Sequence, residues 1–178
     1  MNPIDTTMTM DQLLATLPDD AKDLRLNLRS LLDDAGTTPE RRWGTAVAVA
    51  TALGARTLAS TIESEARAAG VGDGSIADAK AAAAIMGMTN VYYRFRHLVG
   101  DPVYGSMAPR LRMQRLAAPK ADATDMELFA LAVSAVNNCE FCVKAHDRKL
   151  RDHGVDIATI HDAVRMASVV HATAAFTG

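Results

Sequence analysis

Arg67-Ala68-Ala69-Gly70-Val71-Gly72-Asp73-Gly74-Ser75-Ile76-Ala77-Asp78-Ala79 ends one helical pattern, turns on glycine and opens another. At an offset of 84 residues, Arg151, Gly154, Val155, Ile160, Asp162 and Ala163 repeat its Arg67, Gly70, Val71, Ile76, Asp78 and Ala79. The same offset lays Ala46, Ala48 and Val49 on Ala130, Ala132 and Val133, and Ala83 and Thr89 on Ala167 and Thr173. Alanine-rich segments match by chance often, so the ordered Gly-Val, Ile and Asp-Ala string carries most of the weight. The repeat predicts an all-α protein with two related helical halves, about 39–98 and 123–178. The halves pack together as a single domain over 1–178.

Helix punctuation outward from this stretch agrees. Thr9-Met10-Asp11-Gln12 has the form of a capping box, and Pro18 opens a helix to about Asp34. Thr38-Pro39-Glu40 caps another that runs to Leu53-Gly54, and the next ends at Gly70, a good left-handed residue after a helix. Ser75 starts an alanine-rich helix that is expected to break near Gly87 and continue through Tyr92 and Tyr93 to about Leu98. Val99 to Asp122, with Pro102, Gly105, Pro109 and Pro119, reads as irregular. Helices follow at about Asp125 to Val136, Cys139 to His153 and Asp156 to the end. No period-two strand pattern competes.

Composition fits this architecture. The chain has 178 residues, 49% hydrophobic and 22% charged, with 33 alanines and only 4% aromatics. That bias favours closely packed helices over strands. A net charge of −2 removes the electrostatic basis for nucleic-acid binding. Met1-Asn2-Pro3-Ile4-Asp5 shows no basic region followed by an apolar core, so no secretory signal is read. The longest uncharged stretches are about 13 residues, short of a membrane span. A soluble, cytoplasmic protein without a membrane role is expected. In a reducing compartment its two cysteines point to catalysis or metal rather than a permanent staple.

The residues that carry chemistry are Glu127, then Cys139-Glu140-Phe141-Cys142-Val143-Lys144-Ala145-His146. Asn137-Asn138 marks a helix break, since asparagine tolerates the left-handed conformation. Cys139 then lies at a helix start, where free N–H groups and the dipole favour a thiolate. Residues 139, 142 and 146 share one helix face. An unperturbed thiol is only about 3% ionised at pH 7, and lowering its pKa to about 6 would raise this about thirtyfold. His146 supplies a proton acceptor for that, and Glu127 a group to orient it.

Other readings of the same residues stay open. Thr124-Asp125-Met126-Glu127 is also a capping box, which would use Glu127 merely to close a helix start. The cysteines could be half of a zinc site completed by histidine or carboxylate, or a buried structural pair. His97, His153, His161 and His171 show no partner in the sequence and read as structural. The nine methionines read as core or gap filling, and Arg94, Arg96, Arg110, Arg112 and Arg115 as a solvated face. At the offset of 84, Glu127, Cys139, Cys142 and His146 fall on Trp43, Ala55, Leu58 and Ile62. The first half thus carries the scaffold pattern without the chemistry, which argues that these residues serve function rather than folding.

The chain resembles the AhpD alkylhydroperoxidase family, within the carboxymuconolactone decarboxylase-like superfamily. The likeness runs through Ala21-Lys22-Asp23-Leu24-Arg25-Leu26-Asn27-Leu28, through Ala84 to Arg94, and from Glu127 to Gly154. The resemblance implies an all-helical antioxidant enzyme, a homotrimer, that reduces organic hydroperoxides without a bound cofactor or metal. In it Cys142, activated through Glu127 and His146, attacks the peroxide. Cys139 resolves the resulting sulfenic acid to a redox-active Cys139–Cys142 disulfide. Electrons are expected from a dihydrolipoyl group on a 2-oxo acid dehydrogenase component, kept reduced by lipoamide dehydrogenase, with an AhpC-type peroxiredoxin as partner. Some members carry histidine immediately before the second cysteine; Phe141 stands there in this chain and can exchange no proton. The alternatives are a redox adaptor with little direct peroxidase activity, a decarboxylase-like enzyme of the wider superfamily, and a non-catalytic oligomer with structural zinc.

Overall fold

The computed structural model describes residues 8–177; Gly178 and the Met1–Asp5 stretch read for a secretory signal lie outside the described residues. These fold into ten α-helices, with no strand among the described residues. They are α1 Met10–Ala15, α2 Lys22–Asp33, α3 Pro39–Ala52, α4 Arg56–Ala68, α5 Asp73–Val99, α6 Pro102–Ser106, α7 Gln114–Ala117, α8 Ala123–Val136, α9 Glu140–Asp152 and α10 Ile157–Thr177. None of them is long and apolar enough to cross a membrane.

Local chemistry explains the bounds. Thr9 and Gln12 form the reciprocal capping box of α1. Thr38 Oγ1 accepts from Arg41 N, with Pro39 in the first position of α3. Pro18 precedes a 3-10 turn over Asp19–Ala21, and α2 proper begins only at Lys22. Gly54, Gly70 and Gly154 take positive φ after α3, α4 and α9, and Asn138 does so after α8.

Two expectations about α5 are corrected. It starts at Asp73 behind Gly72 rather than at Ser75, and it continues unbroken through Gly87. Gly87 is exposed, so it costs only its weak helix propensity, about 1 kcal/mol against alanine. Burial of Ala79, Ala82, Ala83, Ile85, Met86 and Thr89 around the rest of the helix offsets that cost. The segment after α5 is less irregular than its prolines suggest, since it contains α6 and α7. Asp78, buried within α5, accepts backbone hydrogen bonds from Lys120 and Ala121 and pairs with Arg115, which ties this segment down. Arg94 and Arg96 likewise donate to the carbonyls of Asn137 and Gly105, so these two and Arg115 are ties within the fold, whereas Arg110 and Arg112 are exposed as a solvated face requires.

The first residues of α3, α4 and α5 are displaced by 84 from those of α8, α9 and α10, and α3 and α4 equal α8 and α9 in length. α3 and α8 are the central pair. Trp43 to Ala50 and Asp125 to Ser134 are buried without a break, as helices apolar on every side must be. α4 and α9 flank them with one buried face each. The main core cluster runs from Met10 to Val170, and a smaller one gathers Leu128, Leu131, Leu150, Ile160 and Ala163 between α8, α9 and α10. Close approach of α3 to α8 depends on Gly44, where a Cβ would lie 2.3 Å from the ring of fully buried Phe129. Gly44→Ala is expected to destabilise the protein by about 2–3 kcal/mol, read by chemical denaturation. Adding Phe129→Leu should recover part of that loss, and strictly additive losses would contradict this contact.

Candidate active site

The turn between α8 and α9 builds the site. Asn138 has φ 58°, its N–H donates to Ala135 O, and Cys139 N–H donates to Ser134 O at 3.1 Å. This paired closure of α8 makes Cys139 the residue before the first turn of α9. A buried polar ladder from α5 secures it: Asn90 donates to Ser134 Oγ, Asn137 donates to Asn90 Oδ1, and Arg94 donates to Asn137 O. Cys139 and Cys142 form a disulfide with Cα atoms 5.3 Å apart. Cys139 is 0% exposed and Cys142 5%.

Glu127 lies one turn into α8. Asp122, not Thr124, caps that helix, accepting from Thr124 N and Asp125 N. The capping-box reading of Thr124 and Glu127 is therefore overturned, because the helix starts too early for it. The Glu127 side chain turns inward, 3% exposed, and both its oxygens are engaged. Oε2 lies 2.8 Å from His146 Nδ1 and Oε1 accepts from Lys149 Nζ at 2.5 Å. Burial pushes the carboxyl pKa up, but the hydrogen bonds and charges of His146 and Lys149 outweigh it and hold Glu127 below the usual carboxylate range. With Glu127 ionised, the hydrogen sits on Nδ1 and Nε2 is left to accept or return a proton.

Cys142 and His146 line one cavity of about 140 Å³, with Ala145 and Phe141 of α9, Met86, Thr89 and Tyr93 of α5, and Met113 and Leu116 from the α7 region. Its lining is chiefly apolar. Phe141 stacks on Tyr93 with ring centres 5.1 Å apart, walling one side. Two of the nine methionines thus face this cavity rather than simply filling the core. His97 gains a partner in Glu140 at 3.1 Å, which ties the end of α5 to the first turn of α9.

The structure brings all four expected residues together, and at the displaced positions Trp43, Ala55, Leu58 and Ile62 are buried apolar side chains of the core. Lys149 escaped the sequence reading. The available signal was its place three residues after His146, continuing the face of 139, 142 and 146. Among the described residues no group of three or more His, Cys, Asp or Glu is placed to hold a metal ion. Chemically, the arrangement offers a thiol pair able to cycle with a disulfide, next to an imidazole whose tautomer a buried carboxylate fixes.

Residues 102–178 match the Carboxymuconolactone decarboxylase family. "Alkyl hydroperoxide reductase AhpD" of Anaeromyxobacter dehalogenans (strain 2CP-C) is 50% identical over 165 residues, 93% of this chain and 88% of that protein. The protein of the same name from Solibacter usitatus (strain Ellin6076) is 45% identical over 94% of each chain. That of Streptomyces griseus is 44% identical over 93% of each. Identity at this level along nearly the whole length, together with the family match over α6 to α10, shows that the chain belongs to the AhpD family of the carboxymuconolactone decarboxylase group.

Proposed function

We propose that this protein is a thiol peroxidase and disulfide reductase acting on alkyl hydroperoxides. The observation that carries the reading is the Glu127–His146 hydrogen bond beside the same apolar cavity that Cys142 lines. The Cys142 thiolate attacks the terminal peroxide oxygen, the O–O bond breaks, and the alcohol leaves with a proton returned by His146. Cys142 is then a sulfenic acid. The Cys139 thiol displaces its oxygen as water, giving the disulfide. Two electrons and two protons from a dithiol restore the pair. Cys142 is assigned the attack because it lines the cavity, whereas Cys139 is wholly enclosed.

The donor in this reading is a dihydrolipoyl group on a 2-oxo acid dehydrogenase component, recharged by lipoamide dehydrogenase, and the pair also passes electrons to an AhpC-type peroxiredoxin. No bound cofactor or metal is invoked, and the working place is the cytoplasm. The chain acts as one domain of two related halves, supported by helix starts that recur at a displacement of 84. The assembly in this reading is a homotrimer, and Met88, Val91, Phe95 and Leu98, exposed apolar residues spaced three and four apart on α5, offer a face for association between copies. Cys139→Ser tests the order of events. One equivalent of alcohol per chain and a dimedone adduct on Cys142 are expected, without further turnover. An adduct-free Cys142 with undiminished turnover would overturn the assignment.

A further inference from the structure

Lys149 has no part in the steps above, yet it contacts their least exposed charge. Glu127 is enclosed on α8, and two groups three residues apart on α9 divide its oxygens: His146 takes Oε2 and Lys149 takes Oε1. The imidazole must change its charge as it takes and returns a proton. The carboxylate therefore needs a second partner whose charge is constant, because a buried anion facing a neutral ring is poorly stabilised. Lysine supplies that partner without blocking the cavity, since it is not among the residues lining it and its side chain remains 52% exposed. We propose that Lys149 is a positioning residue of this site: its ammonium group keeps Glu127 anionic through the whole cycle and eases departure of the Cys142 proton.

The surrounding groups leave this role to Lys149. The titratable or charged side chains at the cavity, beside Cys142 and on Glu127 are Tyr93 from α5, Glu127 from α8, Cys139 before the first turn of α9, and Cys142, His146 and Lys149 from α9. The α7 region contributes Met113 and Leu116. Glu140 and Lys144, also on α9, pair with each other, and Glu140 also pairs with His97 of α5. Removing a fixed cation raises the proton affinity of every group it faces, whichever of them holds the proton.

The inference rests on the thiol chemistry proposed above, but its test needs no peroxide. Reduced wild type, Lys149→Gln, Lys149→Met and Lys149→Arg are alkylated with iodoacetamide across pH 5–10, and modified Cys142 is quantified by mass. In Lys149→Gln and Lys149→Met the profile is expected to move up by about half to one pH unit, with alkylation at pH 7 slowed about three- to tenfold. Lys149→Arg should restore it to within a few tenths of a unit. Lys149 is half-exposed on a surface helix, and matching thermal melts establish that the variants fold. A Lys149→Gln profile superimposed on wild type overturns the inference, as does Lys149→Arg behaving like Lys149→Gln. If the profiles shift as expected while wild type turns over no hydroperoxide, the proposed function fails and the role of Lys149 stands.

Discussion

Replacing Cys142 by serine is expected to lower turnover of an organic hydroperoxide, assayed with a dihydrolipoyl donor at pH 7, by at least about a thousandfold. A hydroxyl stays protonated where a thiol ionises, and oxygen is a poor nucleophile towards a peroxide bond. Cys139 cannot substitute, because it is enclosed behind the first turn of α9, with its backbone held by Ser134. The variant should melt close to the reduced wild-type protein, since a single side-chain atom at the wall of a cavity is exchanged and no packed neighbour must move. Turnover within about tenfold of wild type would show that the attacking atom lies elsewhere.

The second large effect is expected at His146. His146→Gln retains a group able to donate to Glu127 but none able to exchange a proton, and a loss of about 10² to 10³ in kcat/KM at pH 7 follows from removing general acid–base help. The loss should shrink towards pH 9, where the thiol ionises without assistance. Glu127→Gln is expected to cost less, about tenfold to a hundredfold, because the imidazole remains but the anion that fixes its tautomer is gone. A His146→Gln rate within about threefold of wild type at pH 7 would remove the histidine from the mechanism.

Much of the helical framework was legible because its signals are local. Thr9, Thr38, Gly54, Gly70 and Gly154 each act on backbone groups within a few residues of themselves, and each ends or begins a helix where its chemistry requires. The Asn137-Asn138 break was legible for the same reason. Gly87 misled because its weak propensity is a local cost, whereas the burial that outweighs it comes from α3 and α8 packed across α5. Thr124 misled because two acceptable caps, Asp122 and Thr124, stand two residues apart. Asp122 takes the cap, accepting from Thr124 N and Asp125 N, which leaves Glu127 to His146 and Lys149 of α9.

The sequence by itself determined an all-helical chain, the bounds of most helices, and the placing of Cys139, Cys142 and His146 on one helical face, since 3.6 residues per turn fixes which neighbours align. It could not decide what Glu127 does, because a carboxylate at that position serves a cap or a relay equally well until the facing helix is in place. Only the tertiary structure, by packing α8 against α9, enclosed that carboxylate and set His146 on one oxygen and Lys149 on the other. Enclosure turns a surface acid into a site: once water is excluded, the charge of Glu127 must be answered by side chains, and their identities decide the chemistry.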